Sequence, residues 1–163
     1  MTEDGTEKAR RDRVFLVVVD DSPERAVALR YACLRAAKGG GRVTLLRVVE
    51  PVEQSEWAGI GSMMQEERRE EAEALLAGLA AQVKELTGGM PMLVIREGRM
   101  ADELLALLEE DPRISILVLA TSAGGKGPGP LITALTGRLA GKMTVPMTIV
   151  PGEMSEAELD RVT

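Results

Sequence analysis

At 163 residues, 45% hydrophobic and 28% charged, the chain has the composition of one globular domain large enough to bury a core. A net charge of −6 and an aromatic share of 2% exclude a nucleic-acid surface, which needs clustered Lys and Arg and rings for stacking. One cysteine, Cys33, and no histidine exclude an internal disulfide, His or Cys metal centres and His-dependent nucleophilic catalysis.

Met1 to Arg13 reads as a disordered tail, and its one basic cluster, Arg10-Arg11-Asp12-Arg13, as a solvated charge run. It has no apolar centre for a signal peptide, and no apolar run reaches transmembrane length, so the cytoplasm is the expected location. Val14 to Val19 is a wholly apolar strand, expected at the centre of a sheet covered on both faces. Asp20-Asp21-Ser22-Pro23 follows as a helix start, with Ser22 as N-cap and Pro23 in the first turn. That helix is expected to reach Lys38, stopped by Gly39-Gly40-Gly41, with Cys33 inside it as a packing residue.

Val43 to Val49 is the second strand, and Glu50 to Ser62 a longer loop carrying Trp57. The second helix is expected from Met64 to Thr87: a solvated charge run first, then Ala72, Leu75, Leu76, Leu79, Val83 and Leu86 on a core face. Met92 to Arg96 is a short third strand, and Asp102 to Glu110 a third helix with Ala101, Leu104, Leu105 and Leu108 turned inward. From Ser115 to Val150 the chain reads strand, glycine-rich turn, helix, strand. Ile116 to Leu119 is the fourth strand, Leu131, Ile132, Leu135 and Leu139 the face of a fourth helix, and Val145 to Val150 the last strand. Glu153 to Thr163 is a polar tail with no core of its own, where Ser155 and Glu158 spell a capping box for a turn of helix.

Five strands alternating with four helices, joined by right-handed crossovers, give the α/β class: a single doubly wound open parallel sheet, helices on both faces. With strand one central, order 3-2-1-4-5 puts the switch point between strands one and four. The domain spans 14–151, and the candidate cleft lies between Val19-Asp20-Asp21 and the segment from Leu119 to Gly129. Backbone N–H groups of a glycine-rich turn before a helix can hold an anion there.

These pieces together resemble the universal stress protein family, whose fold is of the adenine nucleotide alpha hydrolase type. VFLVVVDDSPERAVALRYA is similar to its first strand, Asp-x-Ser turn and first helix. LLRVVE is similar to its second strand, REGRMADELLALLEE to its third helix, ILVLATSA to its fourth strand and turn, and VPMTIVP to its closing strand. The resemblance runs from Val14 to about Pro151.

That resemblance implies a nucleotide cleft in which Asp20 contacts the adenosine moiety and Val48 lies against the base. Family members that bind ATP carry Gly-x2-Gly-x9-Gly-(Ser/Thr) after strand four. Counted without gaps, those positions fall here on Ala120, Ala123, Thr133 and Ala134, so every one departs from the ATP pattern. A register shifted by four residues finds Gly124, Gly127 and Gly137 but puts Arg138 in the hydroxyl place and sets Gly137 within a helix. Gly125 and Lys126 belong to the same turn.

The resemblance and the departures together lead to the expectation of a non-catalytic stress-response protein with ATP binding weakened or lost and no resident cofactor. A homodimer through Val145, Met147 and Ile149 of the last strand is expected with it. The alternative is an ATP- or AMP-binding relative with magnesium, acting as a nucleotide-gated switch or slow ATPase through Gly124, Gly125 and Gly127. A receiver-type phosphoacceptor domain is a third reading, from Asp20-Asp21 and Thr121, but strand three ends in Arg96-Glu97 with no acceptor Asp.

Overall fold

The computed structural model describes residues 12–52 and 58–163, together with 3, 5 and 8. Most of the tail expected to be disordered, and Trp57, lie outside the described residues. The elements are β1 (Val14–Val18), α1 (Arg25–Gly39), β2 (Arg42–Val49), α2 (Ala58–Thr87), β3 (Met92–Glu97), α3 (Met100–Glu110), β4 (Ile114–Ala120), α4 (Pro130–Thr136), a short 3-10 turn (Ala140–Lys142), β5 (Met147–Val150) and α5 (Glu156–Val162). All strand pairs are parallel and the sheet order is β3-β2-β1-β4-β5, the expected doubly wound topology.

β1 shows why its run is apolar at every position. Successive side chains of a strand point to opposite faces, and both faces here are covered. Phe15, Val17 and Val19 enter one core with Ala28, Leu29, Ala32 and Cys33 of α1, Leu76 and Val83 of α2 and Leu159 of α5. Val14, Leu16 and Val18 enter the other with Leu104, Leu107 and Leu108 of α3 and Ile132 and Leu135 of α4. Ser115 is an extra residue in β4 opposite the Val14–Phe15 step, and its hydroxyl accepts the Val14 N–H at 3.2 Å.

Several element boundaries differ from the sequence expectation. α1 starts at Arg25 rather than after Ser22; the residue before it, Glu24, has helical backbone and no capping hydrogen bond. Ser22 is instead turned back on Asp20, which draws both its N–H and its hydroxyl. α2 begins at Ala58, six residues before Met64. Helix formation continues through its glycines because nothing there forces a turn. α4 ends at Thr136, so Leu139 reaches the core from beyond the helix, and β5 pairs only from Met147.

The polar tail also differs from expectation. Ser155 and Glu158 do form the reciprocal capping box, but they open a seven-residue helix that buries Leu159 against α1. Asp160 pairs with Arg30 at 3.2 Å, and Lys38 donates to the Asp160 carbonyl and the Thr163 hydroxyl. A single buried leucine in a polar heptad is too weak a pattern to mark a docked helix from sequence.

Candidate functional site

The carboxyl ends of the strands open into a cleft with Asp20 at its centre. One cavity of about 300 Å³ lies between β1, β4 and the start of α1, lined by Asp20, Ser22, Glu24, Ala120, Ser122 and Gly129. A second, about 470 Å³, lies over the end of β2 beside Val48, Arg47 and Glu50. A third, about 800 Å³, runs from Glu50 and Val52 past Gly98–Ala101 to Leu131, Ala134 and Arg138 of the α4 region. Asp20 lines all three, as a residue at the topological switch point should.

Asp20 is partly committed to its own loop. Its Oδ1 accepts the Ser22 N–H at 3.0 Å and the Ser22 hydroxyl at 2.6 Å, while its backbone carbonyl accepts Arg25 Nη1 at 2.7 Å. Asp21 turns the other way, to Arg47 Nη2 at 3.0 Å. The two carboxylates therefore do not converge on one reacting atom, as adjacent strand-end residues are expected not to. Arg47 also donates to the Val19 carbonyl at 3.1 Å, clamping the ends of β1 and β2. Arg47 is a lone charge inside an apolar strand, and its partners lie on a different element, so the local sequence does not mark it.

After β4 the chain makes the glycine-rich turn. Gly124, Gly125, Gly127 and Gly129 all have positive φ, between 72° and 103°, a region closed to most other residues. Two of the turn's first N–H groups meet carboxylates of the same chain: Ala123 donates to Glu24 Oε1 at 2.9 Å and Gly124 to Glu153 Oε1 at 3.3 Å. The Ala123 N–H is the leading cause that holds the Glu24 carboxyl below its ordinary value, since a donated hydrogen bond favours the charged form. Thr121 is engaged as well; its hydroxyl accepts the Gly152 N–H at 3.0 Å and its own N–H donates to the Val150 carbonyl at 2.9 Å. Ser122 closes the turn on the Pro128 carbonyl at 3.2 Å.

The predicted site residues thus divide. Asp20, Val48, Ala120 and Ala134 reach the walls of the cleft, and Ala123 borders it through Glu24. Val19 does not; it is buried in the core beneath α1. Gly124, Gly125 and Gly127 lie on the exposed outer part of the turn and line none of these cavities. Thr133 is exposed on α4, donating its N–H and its hydroxyl to the Gly129 carbonyl at 3.0 and 2.8 Å. Gly137 is the C-cap of α4 rather than a mid-helix residue, and a Cβ there would lie 2.9 Å from the Thr133 carbonyl oxygen. Its glycine is accounted for by that close approach. Glu24 and Glu153 were not among the expected site residues, because a lone Glu in a helix start or polar tail carries no pattern.

A model of the universal stress protein family matches residues 13–151. The chain belongs to the universal stress protein family. Among solved structures, UspA from Lactobacillus plantarum superposes with a TM-score of 0.71 at 17% identity, over 86% of this chain and 98% of that one. A family member from Burkholderia pseudomallei gives 0.65 at 20% identity, over 86% and 97%. A universal stress protein family protein from Arabidopsis thaliana with AMP bound gives 0.59 at 14% identity, over 90% and 94%. At these identities the likeness is one of fold. No curated protein matches the sequence.

The cleft of this universal stress protein has two different ends. Asp20 and Val48 line the cavity of about 470 Å³ over the end of β2, and Asp20 also lines the one of about 800 Å³. Toward the glycine-rich turn, Ala120 lines the cavity at the β4 exit and Thr133 sits in the hydrogen-bonded body of α4. Among the described residues, no three His, Cys, Asp or Glu side chains gather closely enough to hold a metal ion, and no helix is long and apolar enough to cross a membrane.

Proposed function

We propose that this chain is a non-catalytic universal stress protein, acting in the cytoplasm in a stress response, with ATP binding weakened or lost. The observation that carries this reading is the state of Thr133. Its N–H is already donated to the Gly129 carbonyl at 3.0 Å within α4, so it is not free to hold a phosphate. The test is to denature the purified protein, analyse the supernatant for adenine nucleotides, and titrate fresh protein with ATP and magnesium by calorimetry. The reading expects no released nucleotide and a dissociation constant for ATP no tighter than about 1 mM. Co-purified ATP, or micromolar affinity, overturns it.

A homodimer through the last strand is part of the same proposal. β5 is an edge of the sheet, Val145 and Met147 are half-buried, and Ile149 is 40% exposed, an arrangement that a second copy would cover. Sedimentation should give a dimer that Ile149→Lys converts to monomer. A monomeric wild type at micromolar concentration sinks this part alone.

A second reading keeps an adenosine-type ligand without a polyphosphate. Asp20 beside a cavity of about 800 Å³, and Asp20 with Val48 beside one of about 470 Å³, favour it, as does the AMP held by the Arabidopsis relative. Titration with AMP, and with Asp20→Ala as control, separates it from an empty cleft.

A further inference from the structure

Two carboxylates from opposite ends of the chain converge on neighbouring N–H groups at the head of the glycine-rich turn. Glu24 comes from the entry of α1 and takes Ala123; Glu153 follows β5 and takes Gly124. A carboxylate oxygen presents the same charge and acceptor chemistry to a backbone N–H as a phosphate oxygen does. We propose that Glu24 and Glu153 act as built-in anions that occupy the Ala123 and Gly124 N–H groups at the head of this turn and make the turn discriminate against polyphosphates. This rests on the reading above that ATP binding is weakened, and it adds the residues that enforce the discrimination.

The two carboxylates are held differently. Glu24 is buried and the β5 exit runs close beside it: a Cβ added at Gly152 would lie 2.7 Å from Glu24 Cγ. Glu153 is exposed and its bond is the longer one, 3.3 Å. It stands between Gly152, tied to Thr121, and α5, docked through Leu159 and Asp160. Glu24 is the fixed plug and Glu153 the one the C-terminal segment holds in place. A polyphosphate entering the turn must displace both carboxylates or sit against their charge.

Calorimetric titration of the full chain with ATP, inorganic tripolyphosphate and adenosine tests this. Glu153→Ala, Glu24→Gln and the double variant are each compared with wild type. ATP and tripolyphosphate should tighten by about 10-fold in the double variant, with adenosine unchanged. Glu153 is exposed, so Glu153→Ala and Glu153→Arg keep the test readable where Glu24→Gln perturbs folding; tripolyphosphate should tighten in both, more for Arg. Unchanged tripolyphosphate affinity in these two variants, or an equal gain for adenosine, overturns the proposal. Wild type and variants equally blind to ATP overturn it while the weakened-ATP reading stands. Wild type that binds ATP at micromolar concentration with no gain in the variants overturns both.

Discussion

Gly152 donates its backbone N–H to the Thr121 hydroxyl at 3.0 Å, tying the exit of β5 to the exit of β4. There is no space for a side chain at this crossing: a Cβ would overlap the Thr121 carbonyl oxygen and press on Glu24. The end of the sheet, the head of the glycine-rich turn and the start of α1 therefore meet at one residue. Gly152→Ala should cost about 1–3 kcal/mol through forced displacement of packed backbone. Urea unfolding of wild type and variant checks this, and an unchanged midpoint would mean that the crossing relaxes freely.

The C-terminal helix should behave as part of the core. Leu159 is 1% exposed, whereas Val162, three residues on, is 48% exposed. Leu159→Ala should destabilise by about 2–5 kcal/mol, the range for a buried leucine, and Val162→Ala by less than about 0.5 kcal/mol. Comparable small losses for both would mean that α5 frays from α1 in solution.

Acid should destabilise the fold, with Glu24 contributing. The carboxyls of Glu24 and Glu110 lie below the ordinary 4.5, and that of Asp111 below 3.8. The Ala123 N–H leads for Glu24, Arg96 for Glu110 and Arg113 for Asp111. A folded pKa below the unfolded one contributes stability above the unfolded value, and that contribution is lost as pH falls through the folded value. The urea midpoint should therefore fall on acidification below the ordinary carboxylate range. Glu24→Gln should lose stability near neutral pH and show a shallower acid limb. An acid limb identical to wild type would mean that Glu24 is not hydrogen-bonded in its charged form.

Cys33 should be inert in the folded protein. It is fully buried on the α1 face, and burial pushes its thiol up to about 12, leaving almost no thiolate at neutral pH. Ellman's reagent should find no thiol under native conditions and one equivalent in urea, matching the single cysteine of the chain. Rapid native labelling would show that α1 opens locally.

The sequence by itself determined the strand order, the two-faced core and the family, because these rest on period and order along the chain. Val14 to Val19 could only be a strand covered on both sides, and the alternating strands and helices left one handed way to wind. The position of Asp20 at the cleft followed from that winding. Leu139 and Val145 kept their apolar character but not the predicted element, since a hydrophobic side chain can reach the core from outside a helix or strand.

Only the tertiary structure decided what surrounds the glycine-rich turn. Glu24 and Ala123 are 99 positions apart, and Glu153 and Gly124 are 29 apart. No local pattern links such pairs; they meet because β1, β4 and β5 end side by side. The docking of Leu159 is of the same kind, one apolar residue whose burial depends on α1 lying opposite. Periodicity reports which face of an element is buried, whereas a hydrogen bond between distant loops depends on where the sheet brings their ends.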